Sequence, residues 1–287
     1  MGAPTAALPP ELAGFARLLA EASEARPGGG EMAVVVAHPD DETIGFGGQL
    51  RRMRNSIIVH VTDGSPRSGF DARAHGFAAP EDYAAARRRE LEAAVSEVGV
   101  PASSLLSLGI PDQDAPRRIA DIAKKLAALF GTRKPRFVLT HPFEGGHPDH
   151  DATAFGVWAA CRLVARGGGM PPAVIEMASY HLGSEGAVWG RFAGDEPELV
   201  LTLGPEDLAR KQRMFAAHRS QTQVLAQFAV GEERFRLAPA HDFAALPNGG
   251  RLLYESKGWG LKGDEWLTLS RVALAALGLQ AGRETPA

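Results

Sequence analysis

The sequence predicts an α/β fold: a Rossmann-like, doubly wound and mostly parallel sheet with helices on both faces. Two apolar runs and one alternation carry that prediction. Met32 to Ala37 is uncharged and rich in β-branched valine, the pattern of a strand covered on both faces. Phe137 to Thr140 is a second run of this kind, and both end abruptly in His, Pro and Asp. Around them, short apolar runs alternate with segments of helical spacing, as in chains of βαβ units.

In order, Leu12, Phe15, Leu19 and Ala22 recur at helical spacing between Pro10 and Ala25, and Pro27-Gly28-Gly29-Gly30 closes this first helix. The strand at 32–37 follows, then a turn in which Pro39 fixes one φ angle and so stiffens the segment carrying His38, Asp40 and Asp41. Gly45-Phe46-Gly47-Gly48 leads into a helix from Gln49 to Arg54; its glycines lack the G-x-G-x-x-G spacing of a dinucleotide site. Ile57 to Thr62 reads as a strand and Asp63 to Pro80 as a long loop, a length that usually carries function. Glu81 to Val98 is predicted helical, Leu105 to Leu108 a strand that exits through Gly109-Ile110-Pro111-Asp112, and Ile119 to Phe130 helical. The helix after the second motif has Pro148 in its first turn, with Asp149 and Asp151 expected to cap it. Ala173 to Tyr180 and Leu199 to Leu203 read as strands, and Pro205 to Ala217 and Glu265 to Leu277 as helices. The expected organisation is an N-terminal helix and linker at 1–30, a core domain at 31–230, and a C-terminal extension packed on the core at 231–287.

A hydrophobic content of 45% supports a sizeable core, and 31 basic against 34 acidic residues leave a net charge of −3 with no basic block suited to nucleic acid. One cysteine, Cys161, cannot build a disulfide framework and sits in a helical apolar pattern, so packing is its expected role. No uncharged stretch is long enough to span a bilayer and the first residues lack a basic leader, which predicts a cytoplasmic protein.

Because ligands of an open α/β sheet bind outside the carboxyl ends of its strands, two His/Asp-rich strand ends can face one site. His and Asp offer nitrogen and oxygen ligands suited to Zn²⁺, and a catalytic zinc keeps three protein ligands with one position open; His38, Asp41 and His150 form such a set. Another divalent ion such as Fe²⁺ is the alternative. An N-cap reading accounts for single aspartates, but not for three histidines within the ten residues His141 to His150.

The paired motifs Ala37-His38-Pro39-Asp40-Asp41-Glu42 and His147-Pro148-Asp149-His150 resemble the zinc-dependent de-N-acetylases of the PIG-L/LmbE-like family. The resemblance extends to Val61-Thr62-Asp63-Gly64, to Arg87-Arg88-Arg89-Glu90-Leu91 and to His218-Arg219-Ser220-Gln221, and does not cover 183–197 or the chain beyond about Val230. It implies that Asp40 is the general base beside the ligand Asp41, and that His147 acts as an imidazolium on the oxyanion or leaving amine. It also implies that Arg87 holds substrate hydroxyls with its fork of donors. His141 ends a strand facing the same crevice and is expected to line the substrate site, with support of a metal ligand as the equal alternative. His60 and His218 are expected to be structural.

The function implied is a zinc hydrolase that removes an N-acyl group, acetyl first, from an amino sugar or its conjugate. A metal amidase of a non-sugar substrate and a noncatalytic Rossmann-like binding module are the alternatives. The expected partner is a small N-acetylated sugar or glycoconjugate, with no nucleic acid and no membrane span; self-association stays open.

Overall fold

A computed structural model describes residues 7–280; residues 1–6 of the expected N-terminal segment and 281–287 of the C-terminal extension lie outside the described residues. Helix α1 (Pro10–Glu21) precedes strand β1 (Met32–Val36), helix α2 (Asp41–Leu50) and strand β2 (Ile57–Pro66). Short α3 (Phe70–Ala74) and α4 (Pro80–Ser96) lead to β3 (Leu105–Asp112), α5 (Ile119–Arg133), β4 (Phe137–Thr140), α6 (Pro148–Arg166) and β5 (Ala173–Met177). A small hairpin, β6 (Tyr180–Leu182) with β7 (Ala187–Trp189), is followed by β8 (Glu198–Thr202), α7 (Pro205–Ala217), α8 (Thr222–Leu225) and β9 (Glu232–Leu237). Helices α9 (Leu253–Lys257) and α10 (Gly263–Leu277) complete the described chain.

The sheet runs β3-β2-β1-β4-β5-β9-β8. Its first five strands pair in parallel, as expected of a doubly wound sheet, and β9 pairs antiparallel with both β5 and β8. Strand order reverses between β1 and β4, where Met32, Ala33 and Val34 register against Phe137, Val138 and Leu139. The two-residue alternation of β1 divides the core: Ala33 and Val35 face the cluster built with α5, α6 and α10, while Val34 and Val36 face the one built with α1, α2, α4 and α7. Phe15 anchors α1 on the second face, its ring 5.8 Å from Phe137, 5.4 Å from Phe235 and 6.5 Å from Phe46. Cys161 is buried in the first cluster, as its helical pattern predicts.

Several elements differ from the expectation. Strand β2 continues to Pro66 and the expected loop at 63–80 contains α3. Helix α2 begins at Asp41, not after the glycines. Its glycines are packing residues: a Cβ on Gly45 would run into Met177, and one on Gly48 into Leu203. The segment after residue 230 is more than an extension packed on the core, because β9 lies inside the sheet between β5 and β8. Sequence-local patterning missed this, since β9 reads Glu-Glu-Arg-Phe-Arg-Leu and its charges are neutralised only across the fold. Among the described residues, no helix is long and apolar enough to cross a membrane.

One such neutralisation joins α7, β9 and α2. Lys211 Nζ donates to Glu233 Oε1 at 2.7 Å, that oxygen also accepts the Gly48 amide at 2.7 Å, and both ionic side chains are fully buried. Removing one partner of a buried pair strands the other charge, so Lys211→Met is expected to lower the unfolding free energy by about 3–5 kcal/mol. Urea denaturation of the two proteins measures it, and an unchanged midpoint would refute it.

Candidate active site

The carboxyl ends of β1 and β4 bring the two motifs together. After β1 the chain turns so tightly that Asp41 Oδ2 accepts the His38 amide at 2.6 Å. After β4, His147 is the N-cap of α6, and its Nδ1 accepts the Asp149 amide at 3.2 Å. Pro148 takes the first helical position, where an N–H would have no partner, so His150 projects from the first turn toward His38.

His38, Asp41 and His150 each offer one ligand atom, and these atoms lie within 4.8 Å of one another. His38 Nδ1 lies 3.2 Å from His150 Nε2 and 3.3 Å from Asp41 Oδ2, and His150 Nε2 lies 3.4 Å from Asp41 Oδ1. A tetrahedral ion with ligands at about 2.1 Å holds its ligand atoms about 3.4 Å apart. The spacing and the nitrogen/oxygen donor set therefore fit a divalent cation with an open position. The remaining ring nitrogens are also engaged. His150 Nδ1 faces Ser179 Oγ at 3.2 Å, and His38 Nε2 lies 3.3 Å from both Asp112 Oδ1 and Asp149 Oδ2. Such carboxylate and hydroxyl partners fix the tautomer and ring orientation of a ligating histidine. Burial would raise the Asp41 carboxyl, but the neighbouring His150 and His141 outweigh it and hold it well below the usual range.

Asp40 stands beside this set and outside it. Its Oδ2 accepts from Arg87 Nη2 at 2.9 Å, with both side chains buried. Burial, followed by the charge of Asp41, raises the Asp40 carboxyl against the opposing pull of Arg87. That environment suits a group which must accept a proton. Arg87 also donates from Nη1 to the Gly64 carbonyl at 2.6 Å, where Gly64 has a φ of 72° and a Cβ would collide with the guanidinium. The fork expected to hold a sugar diol is thus spent mainly on Asp40 and the end of β2, although Arg87 still lines the cavity.

Three further expectations change. His141 is absent from the cavity lining and sits behind the ligands: its Nε2 is 3.0 Å from the Ala37 amide and 3.2 Å from Asp41 Oδ2, and its ring stacks on His150 at 3.8 Å. The alternative of ligand support is the one its geometry matches. Burial, and after it the neighbouring His38, push the His147 ring well below its ordinary value, a direction opposed to the expected imidazolium; its Nδ1 accepts the Asp149 amide, which leaves Nε2 as the donor nitrogen. Asp149 and Asp151 stand in the first turn of α6, beside the positive end of its dipole as expected, but the side-chain cap is His147. Asp149 accepts the Gln113 and Ala115 amides at 2.6 and 3.2 Å, holding the exit of β3, and Asp151 accepts the Gly145 amide at 3.1 Å.

Asp112 is the site residue that sequence reasoning passed over. It lies 3.3 Å from His38 Nε2 and 3.8 Å from His147 Nε2. The available signal was positional, since Asp112 ends a parallel strand on the side where both motifs open. The shorter motif segments now acquire reasons. Glu42 pairs with the buried His60 at 2.9 Å, Glu90 accepts the amide and hydroxyl of Ser220 at 3.0 and 2.7 Å, and buried His218 faces Thr43 Oγ1 at 3.3 Å.

Residues 33–161 match the PIG-L family, described as GlcNAc-PI de-N-acetylase. The chain is 32% identical over 198 residues, 68% of its length and 84% of the relative's, to the Bacillus cereus protein named "Probable N-acetyl-alpha-D-glucosaminyl L-malate deacetylase 2". The chain belongs to the PIG-L family. It is accordingly a hydrolase of N-acetyl amide bonds, and the reading as a noncatalytic binding module falls away. Over 142 residues it is also 32% identical to a 1D-myo-inositol 2-acetamido-2-deoxy-alpha-D-glucopyranoside deacetylase of Catenulispora acidiphila, covering 42% of this chain and 47% of that protein. The fold resembles the A40926 pseudoaglycone deacetylase Dbv21, with a TM-score of 0.55, 18% identity and coverage of 72% of this chain and 96% of that one. It also resembles the N,N'-diacetylchitobiose deacetylase of Pyrococcus horikoshii, with a TM-score of 0.50, 18% identity and coverage of 80% and 94%.

The geometry separates ligands from their support. Purified protein is expected to bind about one divalent ion per chain, with His150→Ala losing it and His141→Ala retaining the site at about 10–100-fold weaker affinity. Calorimetric titration of the metal-free variants with Zn²⁺ checks this, and equal loss in both would make His141 a ligand.

Proposed function

We propose that this chain removes the N-acetyl group from an amino sugar carried in a glycoside or conjugate, using Zn²⁺ held by His38, Asp41 and His150. The observation that carries the reading is the clustering of two imidazole nitrogens and the Asp41 carboxylate, 3.2 to 3.4 Å from one another, beside a buried carboxylate, Asp40, that is not among them. A bound divalent ion lowers the pKa of a coordinated water and polarises the acyl oxygen.

The chain's own residues supply the rest. Asp40 takes a proton from the attacking water as the water oxygen bonds to the acyl carbon. Arg87 keeps that carboxylate aimed and charge-balanced through its 2.9 Å ion pair. His147 presents Nε2–H to the oxygen on which negative charge develops, while its Nδ1 is held by the Asp149 amide. As the carbon–nitrogen bond breaks, Asp40 returns the proton it took to the leaving nitrogen, so the amine departs neutral, acetate forms with loss of the second water proton, and Asp40 is again a carboxylate. Asp112 lies 3.3 Å from His38 Nε2 and 3.8 Å from His147 Nε2, where its carboxylate favours an N–H on the ring nitrogens that face it.

Free-amine release from a series of N-acetylated glucosaminides by the metal-loaded protein tests the function, and no release from any of them would overturn it. Asp40→Asn keeps the shape and removes proton acceptance, so metal content is expected to stay while kcat falls by ~10²–10⁴. Loss of the metal in that variant would assign Asp40 to coordination. Arg87→Ala removes the counter-charge of the base, so kcat is expected to fall in it as well as KM to rise. An effect confined to KM would return Arg87 to substrate binding alone.

A further inference from the structure

The cavity over the site has a volume of about 290 Å³ and its lining is chemically divided. One part is polar and internally bonded: Asp40 with Arg87, and Gln221 donating to the Tyr83 hydroxyl at 2.6 Å. The other part is aromatic. The Tyr180 ring lies 5.1 Å from His150 and 4.8 Å from Trp189, and Trp259 lies 5.2 Å from His147. Trp189 belongs to β7 and Trp259 to the link between α9 and α10, so both come from outside residues 33–161 that match the family.

Charge sharpens the division. Arg87 is the single Lys or Arg among the lining residues, and its Nη atoms are occupied by Gly64 and Asp40. Asp40, Asp41, Asp71 and Asp112 also line the cavity. A substrate carboxylate entering beside Asp40, Asp71 and Asp112 would lose water to like charges, and the one guanidinium in the lining already has Asp40 as its counter-charge at 2.9 Å, which makes burial of the substrate charge costly. Tyrosine and tryptophan faces instead offer large apolar area at low conformational cost.

We infer that the cavity selects amino sugars bearing an uncharged, apolar substituent, either the aglycone or a long N-acyl chain, which stacks on Tyr180, Trp189 and Trp259, and that it rejects carboxylate-bearing aglycones such as malate. This rests on the sugar deacetylase reading and deepens it. The B. cereus relative is named for a malate conjugate, so the inference separates this chain from it by substrate.

The metal-loaded enzyme is assayed by free-amine release on four compounds: methyl N-acetylglucosaminide, phenyl N-acetylglucosaminide, methyl N-hexanoylglucosaminide and N-acetylglucosaminyl malate. At least one of the two apolar compounds is expected to exceed the methyl N-acetyl reference in kcat/KM by about 10-fold or more. A gain from phenyl assigns the wall to the aglycone, and a gain from hexanoyl to the acyl chain. The malate conjugate is expected to fall below the reference by at least about 10-fold. In Trp189→Ala and Trp259→Ala the ratio of the favoured compound to the reference is expected to approach one, a readout independent of how much active enzyme each variant yields. A malate conjugate that matches or beats the reference, or no gain from either apolar compound, overturns the inference while leaving the deacetylase reading standing. Hydrolysis of none of the four overturns the sugar reading and this inference with it.

Discussion

The parallel pairing of β1 with β4 is the constraint on which the site depends. Those strands are about a hundred residues apart in sequence, yet their register sets Val34 against Leu139 and so puts the chain that follows each at the same edge of the sheet. Short connections then leave little freedom. Asp41 is fixed by the His38 amide, and His147 and His150 ride on the first turn of α6. The ligand groups come within 3.2 to 3.4 Å of one another because two backbone turns, not flexible side chains, decide where they point. Preorganisation of this kind is what a catalytic metal site requires of its protein.

Burial of so many charges has to be compensated locally, and the compensation explains the surrounding architecture. Asp41 is matched by three histidines, Asp40 by Arg87, and Asp149 by two backbone amides and His38. The same logic continues away from the cavity. Glu144, in the loop that carries His147, pairs with Arg236 of β9 at 2.9 Å; Arg236 also pairs with Glu176 at 2.7 Å, and Glu176 with His241 at 2.6 Å. This buried network ties the catalytic loop to a strand contributed by the last part of the chain. An unpaired member would cost more than the network gains, which is why its residues form a set spread over widely separated segments.

The division of the cavity follows from topology as well. Its polar part comes from the end of β2, from α3 and α4 and from the His218 to Gln221 segment, the last of which is hydrogen-bonded to α4 through Ser220 to Glu90 and Gln221 to Tyr83. Its aromatic part comes from the β6–β7 hairpin and the link before α10. The reaction machinery therefore rests on the sheet, while substrate choice is carried by connections that can change without disturbing it.

Local composition was enough to determine the class of fold, the two strand ends that meet, the ligand set His38, Asp41 and His150 as a chemical possibility, and the packing roles of Cys161 and His60. Each of those rests on a pattern within a few residues: an uncharged valine run, a His-Pro-Asp turn, a helical spacing. Tertiary structure alone decided what each polar side chain bonds to. Arg87 pairs with Asp40, His141 stands behind Asp41, Asp149 accepts the Gln113 amide at the β3 exit, and Asp112 joins the site. It also decided that Glu232–Leu237 is an internal strand, because its charges find partners in Lys211, Glu176 and Glu198. The physical reason is common to all of these. Apolar periodicity is written along the chain, but a hydrogen bond or ion pair depends on distances near 3 Å between residues tens to over a hundred positions apart, and only the folded chain sets those distances.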